Sequence, residues 1–154
     1  GAGRWLDARA DFQQALQLAE TDALKALNQN NVAWASLMAN DPALNTEALE
    51  LASSAYRFSP NQPAFAGTYA HALLVSGDPA GAKVLLEQTI PRHHRPRDRA
   101  LNLCLLAMCQ ARLGEPEAAQ ASIEKAAELS PECQLLERAR DALSAAALPA
   151  SAGS

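Results

Sequence analysis

Apolar and polar positions along residues 99–131 follow the rhythm of two helices joined by a tight turn. Leu103, Leu106 and Ala107 recur at three- and four-residue spacing, and the row ends on the polar Gln110. This spacing places side chains on one helical face. Gly114 closes the first helix, because glycine reaches the left-handed C-cap conformation without steric cost. Glu115 and Pro116 open the second, where a missing proline N–H costs nothing. Ala119, Ile123 and Ala126 then share a face, and Pro131 ends the run.

The same rhythm predicts helices over most of the chain. Residues 4–19 form a first helix, with Trp5, Leu6 and Phe12 as its large apolar side chains. Thr21 and Asp22 offer an N-cap for a helix over 23–39. Its polar run 28–31 is expected to bend it, since asparagine competes for backbone hydrogen bonds. Asn40-Asp41-Pro42 signals a turn, and Asn45 or Thr46 caps a helix running to Phe58. Further helices are expected over 63–76, 79–90 and 97–113, with a loop over 91–96. A last amphipathic helix over 132–147 sets Leu135, Leu136, Ala139 and Leu143 against Glu137, Arg138, Arg140 and Asp141. The small, polar tail over 148–154 reads as disordered.

The pattern repeats. Ala48, Ala52, Ala55 and Pro60 return 34 positions later as Ala82, Leu86, Thr89 and His94, and a further 37 later as Ala119, Ile123, Ala126 and Pro131. Gly3, Trp5, Ala8, Phe12 and Ala15 match the second half of one more copy. This spacing resembles the tetratricopeptide repeat (TPR), a 34-residue helix–turn–helix unit with the pattern W-x2-L-G-x2-Y, then A-x3-F, then P. Leu103, Leu106, Ala107 and Gln110 stand where W, L, G and Y stand, so the large residues depart from the pattern while the small alanines are kept.

The resemblance, which covers residues 3–131, implies an all-α fold. It would be a right-handed superhelical solenoid of antiparallel helix pairs closed by a C-terminal capping helix. The units would be a half-repeat at 1–20, repeats at 21–62, 63–96 and 97–131, and the cap at 132–147. A half-repeat lacking its first helix implies a domain cut from a longer, bacterial protein, or a face of Trp5, Leu6 and Phe12 covered in another way, such as by a second copy. The family's concave groove would be lined by Asn30, Ala33, Trp34, Leu37 and Asn40, then Thr68, His71 and Leu74, then Leu101, Cys104, Leu105, Met108 and Arg112. No cation stands at the positions that clamp acidic peptide tails in the family. The expected partner is instead a protein or peptide with an apolar strip, such as an amphipathic helix. The competing reading makes these residues core packing between helices. The function implied is a non-enzymatic scaffold. Its alternatives are a homodimerisation module or a regulatory or substrate-recruiting part of a larger, membrane-attached enzyme.

Composition narrows this further. The chain of 154 residues is 49% hydrophobic and only 5% aromatic, which suits closely packed alanine- and leucine-rich helices. Its net charge of −4 argues against nucleic acid as the main partner. No run of 18 apolar residues exists, so no membrane insertion is expected. Three cysteines cannot all pair internally, and Cys104 and Cys109 lie on different faces of one helix. A reducing compartment, the cytoplasm, is the simplest reading.

Arg92, Arg95, Arg97 and Arg99, with His93 and His94 among them, form the one basic cluster. It either grips an acidic partner or is a solvated loop. The adjacent histidines match no zinc-ligand spacing and read as exposed. His71 on the groove face reads as a hydrogen-bonding contact or a pH-sensitive one. No hydrolase, phosphate-loop or metalloprotease motif is present, and Cys104 would need a base, for which His71 is the sole candidate. No cofactor and no metal are expected.

Overall fold

The computed structural model describes residues 1–148, and the expected tail lies outside them but for Leu148. Among the described residues there are eight α-helices and no strand. They are α1 (Ala2–Gln17), α2 (Asp22–Ala39), α3 (Asn45–Phe58), α4 (Pro63–Val75), α5 (Pro79–Thr89), α6 (Pro96–Arg112), α7 (Pro116–Leu129) and α8 (Leu136–Ala147). Short 3-10 turns occupy Pro42–Leu44 and Ile90–Arg92.

The helix ends follow from local chemistry. Thr21 Oγ1 accepts the Leu24 N–H at 3.2 Å, and Asp78 Oδ1 accepts the Gly81 N–H at 2.8 Å. Each satisfies one of the amides that a helix start leaves without a partner. Proline occupies the start of α4, α5, α6 and α7. Gly114, just past α6, has φ +77, and the Glu115 N–H reaches back to the Gln110 carbonyl at 2.9 Å. Asn40 ends α2 with φ 59, a conformation asparagine tolerates better than most residues.

The polar residues 28–31 lie inside one continuous helix α2, where Asn28 Nδ2 donates to the Leu24 carbonyl at 2.9 Å. Two helix starts differ from the expected ones. The α3 helix starts at Asn45 after Leu44, with no side-chain cap. The α8 helix starts at Leu136 rather than near residue 132. The preceding turns hold the Cys133 N–H on the Ser130 carbonyl at 3.0 Å and the Leu136 N–H on the Cys133 carbonyl at 3.1 Å.

The helices fall into two compact units divided after Gly77. In the first, α1 packs on α2, α2 on α3 and α4, and α3 on α4. Its core joins Ala33 and Leu37 of α2, Ala48 and Ala52 of α3 and Ala72 of α4, with Leu49, Leu51, Tyr69 and Val75 around them. Ala26, Ala55 and Phe65 form a second cluster. Alanine at the contact lets the helix axes approach closely and loses no rotamer freedom on burial. Tyr56 and Tyr69 stack between α3 and α4 with ring centres 5.1 Å apart.

Arg9 ties three helices of this unit together. From α1 its Nε donates to Ser36 Oγ of α2 at 3.0 Å, and its Nη2 pairs with the Glu47 carboxylate of α3. Ser36 Oγ in turn donates to the Val32 carbonyl at 2.7 Å. Charge-assisted bonds of this kind are shorter and stronger than neutral ones.

In the second unit α5, α7 and α8 all pack on α6, and α7 also packs on α8. Every residue of α6 from Asn102 to Ala111 is buried. Gln110, a polar residue in the apolar row, accepts from Ser122 Oγ of α7 at 2.8 Å, so its side chain is satisfied inside the interface. Lys83 of α5 holds the Glu115 carboxylate, both oxygens at 2.8 Å from Nζ. That ion pair fixes the entry of α7 beside α5.

Ala119 is fully buried where α7 packs on its neighbours. Ala119→Leu is expected to destabilise the chain by about 1–3 kcal/mol through overpacking. Urea unfolding followed by circular dichroism measures it, and an unchanged midpoint would place Ala119 outside the core.

Candidate functional site

The residues expected to line a groove divide sharply by exposure. On α2, Ala33 and Leu37 belong to the core cluster with α3 and α4, and Asn30 is buried too. Ala33 and Leu37 are thus packing residues rather than contact surface, because their side of α2 faces the helices that follow. Asn40 is exposed, and its left-handed backbone ends the helix. Only Trp34 among these five remains partly exposed as a side chain on the helix itself.

On α4, Thr68, His71 and Leu74 are all buried. Thr68 Oγ1 donates to the Ala64 carbonyl at 3.0 Å, which uses its hydroxyl within the helix. His71 meets Trp34 edge to face, with ring centres 5.9 Å apart and planes at 68°. An edge-to-face pair sets the positive edge of one ring on the negative face of the other. His71 is therefore packed against Trp34 inside the first unit rather than standing open on a surface.

On α6, Cys104, Leu105 and Met108 are buried, Leu101 is partly exposed and Arg112 is exposed. Burial removes these three from any surface a partner reaches, because α6 is covered by α5, α7 and α8. The spacing could not distinguish a groove face from a core face on a helix with three neighbours.

One stripe of α2 does carry accessible apolar surface, and it shares only Trp34 with the row expected to line a groove. Leu27, Asn31 and Trp34 recur at four- and three-residue intervals. Leu27 is 44% exposed. Asn30 sits beside this stripe, and its buried Oδ1 has no hydrogen-bond partner. An unsatisfied buried carbonyl costs free energy that a donor would recover.

The basic cluster lies on the second unit. Arg92, Arg95, Arg97 and Arg99 are all exposed, as is His94. His93 is not exposed as its position in a loop implied; it is buried, with its Nε2 lacking a hydrogen-bond partner. Burial lowers the His93 pKa, and the nearby Arg99 and His94 lower it further while Asp98 opposes them.

An open depression of ≈ 410 Å³ lies between α7 and α8, lined by Pro116, Glu117, Gln120, Ala121, Glu124 and Leu143. Its two carboxylates sit on one helix face three and four residues from Gln120, which bonds Glu124 at 2.9 Å. Its lining from α8 is the apolar Leu143.

Among the described residues, no group of three or more His, Cys, Asp or Glu side chains is placed to hold a metal ion. No helix there is long and apolar enough to cross a membrane. The cysteines are all buried and free, and Cys104 has a neighbour that spacing on α6 did not reveal: Cys133, with the sulfurs 3.7 Å apart. No family model matches the chain, and neither a curated protein nor a solved structure does.

His93 makes stability depend on pH. Its lowered pKa means that the folded chain binds fewer protons than the unfolded chain once the pH drops below the ordinary histidine value of 6.5. The stability is therefore fully present above 6.5 and is lost as pH falls from there toward the folded value. Melting curves between pH 7.5 and 5.5 are expected to show a falling midpoint, flattened by His93→Asn.

Proposed function

We propose that the chain is a TPR-like, non-enzymatic interaction module that binds an apolar strip of a protein partner, presented on an amphipathic helix. The observation that carries this reading is the outer stripe of α2. Leu27 and Trp34 stay accessible there on a helix that otherwise commits Val32, Ala33, Ser36 and Leu37 to the interior. A partner covering that stripe gains roughly 25 cal/mol per Å² of apolar area removed from water. Asn31, within the stripe and partly exposed, supplies a polar group that orients such a contact. The exposed arginines 92, 95, 97 and 99 of the second unit support contact with acidic residues of a partner.

A displayed library of random peptides, selected on the native chain, tests this. Enriched peptides are expected to carry apolar residues at helical spacing. They should shift the emission of Trp34 in a Trp5→Phe background and bind Leu27→Glu at least about tenfold more weakly. No enrichment, or equal binding to Leu27→Glu, would overturn the reading.

A second reading is self-association through the first unit. The α1 helix buries no residue fully, Leu6 on it is 43% exposed, and Leu24 at the start of α2 is 47% exposed. Light scattering at rising concentration is expected to reveal a dimer that Leu6→Glu dissolves. A monomer throughout would exclude it.

A further inference from the structure

Cys104 and Cys133 lie 29 residues apart in the chain, and their Sγ atoms are 3.7 Å apart within the second unit. Cys104 is on α6, and Cys133 is in the turns that precede α8. A disulfide holds its sulfurs at about 2.05 Å, so the pair must close by about 1.7 Å. The adjustment falls on Cys133, which lies outside any helix and is flanked by the exposed Pro131, Glu132 and Gln134. The α6 helix need not deform.

The two sulfurs are not equivalent. Cys133 retains 8% exposure and Cys104 none, so a reagent in solution meets Cys133 first. The hydrogen bond from Cys104 lowers the Cys133 pKa despite burial, and the Leu135 and Leu136 N–H groups at the start of α8 and the charge of Arg97 add to that. The same bond and burial push the Cys104 thiol up. Either sulfur can donate in this contact, and the more exposed Cys133, beside the Leu135 and Leu136 N–H groups and Arg97, is the one placed to react as a thiolate. Cys109, also buried on α6, has a thiol pushed up to about 12, chiefly by burial.

We propose that Cys104 and Cys133 form a reversible disulfide on reaction with a low-molecular-weight disulfide, Cys133 attacking and Cys104 resolving. The Cys133 thiolate attacks one sulfur of the reagent, forming a mixed disulfide and expelling one thiolate. Cys104 then releases its proton to that thiolate, and its sulfur attacks Cys133 Sγ, expelling the second, which takes up from water the proton that Cys133 gave up on ionising. Two protein thiols are oxidised by two electrons and the reagent disulfide is reduced to two thiols. The bond ties α6 to the segment entering α8 and encloses α7 in the closed loop. This removes freedom from the unfolded chain and stabilises the folded one.

The full chain is treated with glutathione disulfide, alkylated and mapped by mass spectrometry. The expected product has lost two hydrogens, carries a Cys104–Cys133 cross-linked peptide and keeps Cys109 alkylatable. Its melting temperature rises by about 5 °C or more and returns on reduction. Cys104→Ser is expected to trap glutathione on Cys133, and Cys133→Ser to abolish the reaction. A Cys133 that stays reduced, that remains glutathionylated in the unaltered chain, or that links to Cys109 or to another chain would overturn the proposal. The map of the unaltered chain decides this even if a variant fails to fold.

Discussion

Close approach of helices at alanine is the constraint on which both units rest. Ala48, Ala52 and Ala55 of α3 have no solvent exposure, and neither do Ala82 of α5 and Ala119 and Ala126 of α7. A side chain this small contributes little burial energy by itself. What it permits is contact between neighbouring helices along their length, so that the leucines beside it are enclosed. The low aromatic content follows from this geometry, since a ring at those positions would force the axes apart. The cost is sensitivity, because an interface built on methyl groups has no slack for larger ones.

Polar ties join the helices as well. Arg9 joins α1, α2 and α3, and Gln110 with Ser122 pins α6 to α7. Lys83 with Glu115 sets α5 against the start of α7. The Gln110–Ser122 bond is satisfied at both ends and sits inside a packed interface, where leaving either group alone would be costly. A glutamine in an apolar row is thus accommodated by a partner twelve residues away in the chain.

The proposed contact surface and the thiol pair draw on opposite features of the two units. The first leaves Leu27 and Trp34 of α2 accessible to a partner. The second surrounds α6 with three helices and, in doing so, brings a thiol from beyond α7 against Cys104. The chemistry in the second unit is a product of enclosure and that in the first of incomplete enclosure. Each of these helices has three neighbours, so the difference lies in which faces those neighbours cover, and that is set by topology rather than by the residues of the helix itself.

The sequence by itself determined the helices and most of their ends. Apolar spacing, Thr21 and Asp78 as caps, glycine at 77 and 114 and proline at the helix starts are local signals, and local hydrogen bonding and backbone sterics enforce them. It also marked the alanines that pack, since their spacing repeats. Only the tertiary structure decided which face of each helix is core. Leu37 and Leu27 both read as apolar positions on α2, yet one joins a cluster with α3 and α4 and the other stays exposed. Only the tertiary structure buried His93, gave Arg9 its two distant partners and set Cys133 beside Cys104. Those contacts join residues far apart in the chain, and no spacing along one helix encodes what a second helix brings to it.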